Sequence, residues 1–262
     1  NIAGADGGGA WFGSTSTLNG GVFHQNLAGG SQEGGGAYFV ASTTLSGTQF
    51  ISNTFTSLGS GTDCGISAAC GGGAFFAIAA SATFTNTHFS GNTARFGGGL
   101  FSLSTLVMRG IQISSNTAQG TGGGARVSGA VTLNGGVFQN NTASAGGGLS
   151  AYNTLVLTDT QFLSNTANLG GGAVVIGAAT LTGGLFQNNR STGNIGGIGA
   201  GGLYAGNTLE MTGTQFISNA AQIEGGGAYV AGAVSLNGGL FQNNTSIGST
   251  GGGLYAASTL VL

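Results

Sequence analysis

A glycine cluster followed by alanine or leucine recurs ten times along this chain, and no other feature restricts the fold so tightly. The last glycine of each cluster is Gly9, Gly36, Gly73, Gly99, Gly124, Gly148, Gly172, Gly202, Gly227 and Gly253. Successive clusters lie 27, 37, 26, 25, 24, 24, 30, 25 and 26 residues apart. A second mark, F-x-x-N, stands between them. Its phenylalanines are Phe23, Phe50, Phe89, Phe138, Phe162, Phe186, Phe216 and Phe241, with Ile113 in the remaining place. Its asparagines are Asn26, Asn53, Asn92, Asn116, Asn141, Asn165, Asn189, Asn219 and Asn244, and Asn1 fits as a further member.

Each unit of about 24 residues holds three short segments of period two, such as A-V-V-I-G, A-T-L-T-G and G-L-F-Q-N-N within 173–189. Helical periodicity is absent, and glycine is too frequent for helices. Three strands per unit predict an all-β right-handed parallel β-helix of about ten coils of ~24 residues. It would form one solenoid over 1–262. A left-handed solenoid would need a strict hexapeptide rhythm, which is missing.

Alignment on the phenylalanines assigns inside and outside. Pairs such as Val131 and Leu133, or Leu155 and Leu157, fall seven and five residues before the phenylalanine and face inward with it. The glycine-cluster strand gives an independent check. Alanine first goes with a bulky third residue, as in Ala37/Phe39, Ala125/Val127 and Ala173/Val175. Leucine first goes with a small one, as in Leu100/Ser102, Leu149/Ala151 and Leu203/Ala205. A narrow core of constant cross-section requires this compensation. From about Ile113 onward L-N-G-G-V-F-Q-N-N coils alternate with L-T-D-T-Q-F-L-S-N coils, so the sequence repeat is a pair of coils.

The asparagines read as a turn ladder, because Asn tolerates left-handed backbone and its amide can bond the next coil. The glycine clusters mark sharp bends where side chains would collide. Insertions gather in one connection, between the asparagine and the next glycine cluster, at 27–33, 54–70 and 190–199. Cys64 and Cys70 both lie in the longest, where a local disulfide could close the loop. Asn140, Asn189, Asn243 and Asn244 stand in N-x-S/T sequons.

Charge is scarce: four arginines, no lysine and six acids give a net charge of −2. That offers no footprint for nucleic acid or an anionic membrane. No apolar run reaches the ~18 residues of a membrane span. Disorder is an unsuitable reading, since 40% of the residues are hydrophobic and 16 are phenylalanine. The chain does not start with Met, and neither end carries a polar cap. The expectation is a processed segment of a longer repetitive chain, or a subunit that associates end to end or laterally.

No catalytic, metal or cofactor set emerges. Asp6, Glu33, Asp63, Asp159, Glu210 and Glu224 do not align in the repeat, and His24 and His88 lie on opposite sides of their phenylalanines. The conspicuous surface feature is the outward second position after each glycine cluster: Trp11, Tyr38, Phe75, Phe101, Arg126, Ser150, Val174, Tyr204, Tyr229 and Tyr255. An outward aromatic file suits lateral packing, glycan stacking or simple cross-coil stacking. Partial T-x-T rows lie on the neighbouring strand, interrupted by Val107, Arg109 and Glu210.

The pairing of G-G-G-A or G-G-G-L, as at 34–37 and 251–254, with F-x-x-N resembles the polymorphic outer-membrane protein (GGAI/FxxN) repeats and related bacterial β-helical surface adhesins. The resemblance spans nearly the whole chain and implies secretion, surface display and adhesion. The combined expectation is a non-enzymatic structural component of an extracellular surface filament, sheath or stalk. The alternatives are an adhesin that binds glycans or a host surface through the aromatic file or insertion loops, and a polysaccharide-active enzyme.

Overall fold

In the computed structural model the described residues are all except 5, 30–33, 57–70, 78–80, 194–197 and 249. They contain no helix and wind as a parallel β-solenoid of about nine turns. One coil consists of Ala125–Val127, Val131–Asn134 and Val137–Gln139. The next repeats it with Leu149–Ala151, Leu155–Thr158 and Gln161–Leu163. These strands build a glycine-cluster sheet and a central sheet of ten strands each, and a phenylalanine sheet of nine. Pairing is parallel and in register: Ala125 opposite Leu149, Val131 opposite Leu155, Phe138 opposite Phe162. The insertions leave register untouched, since Ala37 still faces Ala74 and Ala173 still faces Leu203.

Central-sheet strands alternate buried and exposed residues, as strand geometry requires: Val131 and Leu133 are buried, Thr132 and Asn134 exposed. Inside, equivalent rings pile up. Phe138, Phe162, Phe186, Phe216 and Phe241 stack with centroids 4.7, 4.7, 4.7 and 5.0 Å apart. Phe23, Phe50 and Phe89 stack likewise at 4.9 and 4.8 Å, and Ile113 separates the two runs. In the first coils Phe12, Phe39 and Phe76 form a second inner column at 4.7 and 4.8 Å. The large-small compensation is realised with both partners fully buried, as at Leu149/Ala151 and Ala173/Val175.

The asparagines run through the rod as one hydrogen-bonded column. The amide of Asn165 donates to Asn189 Oδ1 at 3.0 Å and to the Phe138 carbonyl at 2.9 Å. Its Oδ1 accepts from the side chain and the backbone N–H of Asn141, both at 3.0 Å. The same pattern repeats at Asn53, Asn92, Asn116, Asn141, Asn189 and Asn219. One detail differs from the sequence reading. The left-handed residue is not the ladder asparagine but the one before it: Gln25, Ser52, Ser115, Asn140, Ser164, Asn188, Ser218 and Asn243, with Gly91 in the remaining coil. That turn releases the asparagine to point inward.

A second difference is a fourth, very short ladder after the asparagine, such as Thr166–Ala167 and Arg190–Ser191. It forms sheets of five and four strands, linked by bridges through Thr142. Its second residue is small and buried in most coils, as at Ala94, Ala118, Ala167, Ser191 and Ala221.

Two glycine roles are specific. A Cβ at Gly148 would lie 2.6 Å from the Gly172 carbonyl oxygen and 2.9 Å from the Phe162 ring, so the cluster lets two backbones and a ring meet. The second role accompanies the coil alternation of the later coils. Thr160 and Thr214 are buried two residues before their phenylalanines, and Gly136, Gly184 and Gly239 hold that place in the intervening coils. A Cβ at Gly184 would meet the Thr160 carbonyl oxygen at 2.5 Å. The pairing is a feature of these later coils, since Thr48 and Thr87 are both buried at the same place in adjacent earlier coils.

Candidate functional site

The outward face of the glycine-cluster sheet is where the sequence concentrates unusual side chains. Register places Trp11, Tyr38, Phe75, Phe101, Arg126, Ser150, Val174, Tyr204, Tyr229 and Tyr255 in one file. Strand alternation fixes the side on which these residues stand, but neighbours decide whether water reaches them. Tyr38 and Phe75 stack at 5.1 Å, and Phe75 and Phe101 at 5.6 Å. Phe96, Ala77 and Leu103 pack against the last two, and Phe75 and Phe101 are buried. Tyr204, Tyr229 and Tyr255 stack at 5.5 and 5.1 Å with ring planes within 7° of parallel. Tyr229, in the middle, is buried, and its neighbours are half-buried.

The file is thus two ring stacks rather than an open aromatic strip. Only Trp11 is broadly exposed, at 57%, with its indole lying over Gly13. Stacked tyrosines spend their faces on each other and offer mainly edges, whereas a pyranose stacks on a ring face. The middle of the file is closed too: Ser150 and Val174 are buried.

Arg126 does not break the upper stack. Its guanidinium carbon lies 5.0 Å from the Phe101 ring centre, 4.4 Å from Phe96 and 4.8 Å from Tyr152. The planar group continues the column as a ring would. Burial lowers the Arg126 pKa below its ordinary value, and the Tyr152 field opposes that shift. Burial raises the Tyr229 phenol above its ordinary value, helped by Glu224, Tyr204 and Tyr255.

Titratable groups are dispersed. Among the described residues no three or more of His, Cys, Asp and Glu gather closely enough to hold a metal. Asp159 occupies a left-handed turn and Glu210 is exposed between Thr180 and Ser235 of adjacent coils. Glu33, Asp63, Cys64 and Cys70 lie outside the described residues, and with them the candidate disulfide and most of the longest insertion. Of the sequons, Asn140 is exposed, whereas Asn189 is fully buried with its amide engaged by Asn219 and Phe162. The central sheet presents Thr44, Thr83, Thr132 and Thr180 to solvent in one file, with Glu210 in it and Arg109 exposed in the file beside it.

No family model, curated protein or solved structure matches the chain. Among the described residues no helix is long and apolar enough to cross a membrane.

Missed by sequence reasoning were the Phe96–Arg126–Tyr152 cluster and the covered state of Phe75 and Phe101. Phe96 was detectable: it directly precedes a glycine cluster, where Thr121, Ala145 and Leu169 stand in later coils. A large ring at a position otherwise held by smaller side chains signals a local packing partner.

Proposed function

We propose that this chain is shaft material: a structural segment of an extracellular surface filament, sheath or stalk, whose task is to hold length and resist unfolding. The observation that carries this reading is the asparagine column. Each interior member bonds both adjacent coils through one side chain, and the column passes every insertion without a break. With stacked phenylalanines beside it, every coil is tied to the next by backbone, amide and ring contacts at once. A catalytic scaffold needs one good site; a shaft needs the same contact repeated, and this molecule invests its buried polar groups in repetition. The resemblance to outer-membrane protein repeats supports surface display.

The test is immunogold electron microscopy of cells making the full-length protein, together with single-molecule pulling of the purified chain. Labelled extended appendages and stepwise rupture, coil group by coil group, are expected. Label confined to the cell interior, or unfolding at negligible force, would overturn the reading.

The adhesin alternative retains one specific support, the exposed Trp11 indole. Unchanged glycan-array binding in Trp11→Ala would remove it.

A further inference from the structure

The outward face of the phenylalanine sheet takes no part in the columns inside the rod. Each of its nine strands turns two residues outward, one before and one after the inward residue. In one set of coils the residue before is aliphatic and the residue after is polar: Val22/His24, Val137/Gln139, Leu185/Gln187 and Leu240/Gln242. In a second set the order is reversed: Gln49/Ile51, Gln161/Leu163 and Gln215/Ile217. Two strands between them, His88–Ser90 and Gln112–Ser114, are polar at both outward positions. Parallel register sets Val137 beside Gln161 and Gln161 beside Leu185, so the later coils form a checkerboard of aliphatic and amide side chains. None of these outward positions carries an acid, a lysine or an arginine, and none is buried. The central sheet, by contrast, exposes Arg109 and Glu210. From Phe138 to Phe241 successive stacked rings beneath the face stay within 11° of parallel, so it runs straight from coil to coil.

We propose that two copies of this chain pair through this face, with the rods antiparallel and the two-fold axis along the strand Val137–Gln139. That operation lays each file on the same file of the other copy and reverses the order of the coils. It sets Ile51 of one copy against Ile217 of the other, Val22 against Leu240, and Gln49 against Gln215. Alkyl groups meet alkyl groups, and facing amides exchange hydrogen bonds. The small Ser114 falls opposite Leu163, and the hollow lined by Gln112, Ser114, Val137 and Gln139 gives that side chain room. A slip of one coil would set Val137 against Gln112, Leu185 against Gln49 and Gln187 against Ile51. Amides would then face alkyl groups in both files and lose their partners. The alternation of coils therefore specifies register, which a uniform aliphatic stripe would not do. Nine strands about 4.8 Å apart, each about 15 Å wide with its flanking turns, give a footprint of about 650 Å² per copy, or about 1,300 Å² for the pair. Stable protein interfaces bury about 1,200–2,000 Å². A lipid surface calls for a continuous apolar face, which the amides interrupt. The pairing depends on this face alone and holds whether or not the rod is a shaft.

The experiment is analytical ultracentrifugation of the full chain over a micromolar-to-millimolar series, with Leu163→Glu, Leu185→Glu and Thr132→Glu beside wild type. A concentration-dependent equilibrium between monomer and dimer is expected. Leu163→Glu and Leu185→Glu should each raise its dissociation constant by at least about tenfold, because symmetry repeats the charge in both copies. Thr132→Glu, exposed on the central sheet, should leave it unchanged. Melting curves establish that each variant is folded; should one leucine variant fail to fold, the other carries the test. Register is read with single cysteines and a short bis-maleimide linker, in a chain carrying Cys64→Ser and Cys70→Ser. Gln139→Cys, beside the two-fold axis, should link to its own counterpart. Gln242→Cys, whose counterpart lies at the far end of the face, should link only when mixed with His24→Cys. A monomer across the whole series overturns the proposal, as does unchanged association in a folded leucine variant. Self-linking of Gln242→Cys overturns the antiparallel arrangement and with it the register.

Discussion

Replacing Asn165 tests whether the amide column holds the coils together. Its carboxamide donates to Asn189 Oδ1 and the Phe138 carbonyl, and accepts from the side chain and backbone of Asn141. Asn165→Ala removes all four bonds in a site with 0% exposure. Lost bonds are worth about 1 kcal/mol each, and a buried group left without a partner costs about 1–3 kcal/mol more. Asn141 keeps its bond to Ile113, so its backbone N–H and the Phe138 carbonyl are the groups at risk. The sum is about 6–10 kcal/mol, felt in the three coils that share these atoms. Asn165→Asp sharpens the test. It retains the accepting oxygen but turns a carboxylate toward two acceptors at 3.0 and 2.9 Å. Burial and those acceptors favour the protonated acid, raising its folded pKa above the unfolded ~3.9. The variant should therefore be closest to wild type in acid, and lose stability as pH rises through that raised value. A solenoid need not unfold in one step, so the measurement is coil-resolved hydrogen exchange at pH 4 and pH 7. Gln161→Ala, exposed on the adjacent strand, is the control and should stay within about 0.5 kcal/mol. If Asn165→Asp exchanges like wild type at pH 7, or Asn165→Ala matches Gln161→Ala, the column is not what binds the coils.

Other perturbations separate the remaining contacts. Gly148→Ala forces a methyl group to 2.6 Å from the Gly172 carbonyl and should cost several kcal/mol, about 3 or more, by thermal melting. Gly213→Asn should stay within about 1 kcal/mol by the same assay, because its left-handed turn has open space and equivalent turns already hold Asn86 and Asp159. Phe162→Ala removes a ring stacked at 4.7 Å on both sides and should cost about 3–5 kcal/mol in denaturant titration. For Tyr229 the folded pKa is raised above the ordinary 10.0, so the native state holds its phenol proton more tightly than the unfolded chain. That contribution is complete below the ordinary value and disappears as pH climbs through the raised one. Melting temperature should thus fall at alkaline pH, and less steeply in Tyr229→Phe; identical slopes would contradict the assignment.

The features legible in the sequence were those where one residue type does one job in every coil. Phenylalanine and asparagine recur because a stacking ring and a double-acting amide have few substitutes, and their columns appear in the structure residue for residue. The left-handed turn was misplaced by one position because its job has many solutions: Gln25, Ser52, Gly91, Asn140 and Ser164 all serve. The fourth ladder escaped notice because two residues cannot display a period, though a small residue two after most of the asparagines marks it: Ala94, Ala118, Ala167, Ala221. The aromatic file was legible as to side and not as to cover. Alternation along a strand reports which face a residue occupies; whether Phe75 meets water depends on Tyr38, Phe101 and Phe96, one of which is in the coil above and two in the coil below.

These distinctions bear on role. A ladder residue acts at right angles to its own strand, so its contribution multiplies with the number of coils and is indifferent to what the connections carry. That is why the connection between asparagine and glycine cluster can lengthen from Asn53 to Gly71 while Asn53 still bonds Asn92 at 3.0 Å and Ala74 still faces Ala37. Variation is thereby confined to one corner and repetition to the interior. Local exceptions to the repeat, such as Phe96, Arg126 and Tyr152, then pack on one another at the surface and leave the columns inside undisturbed.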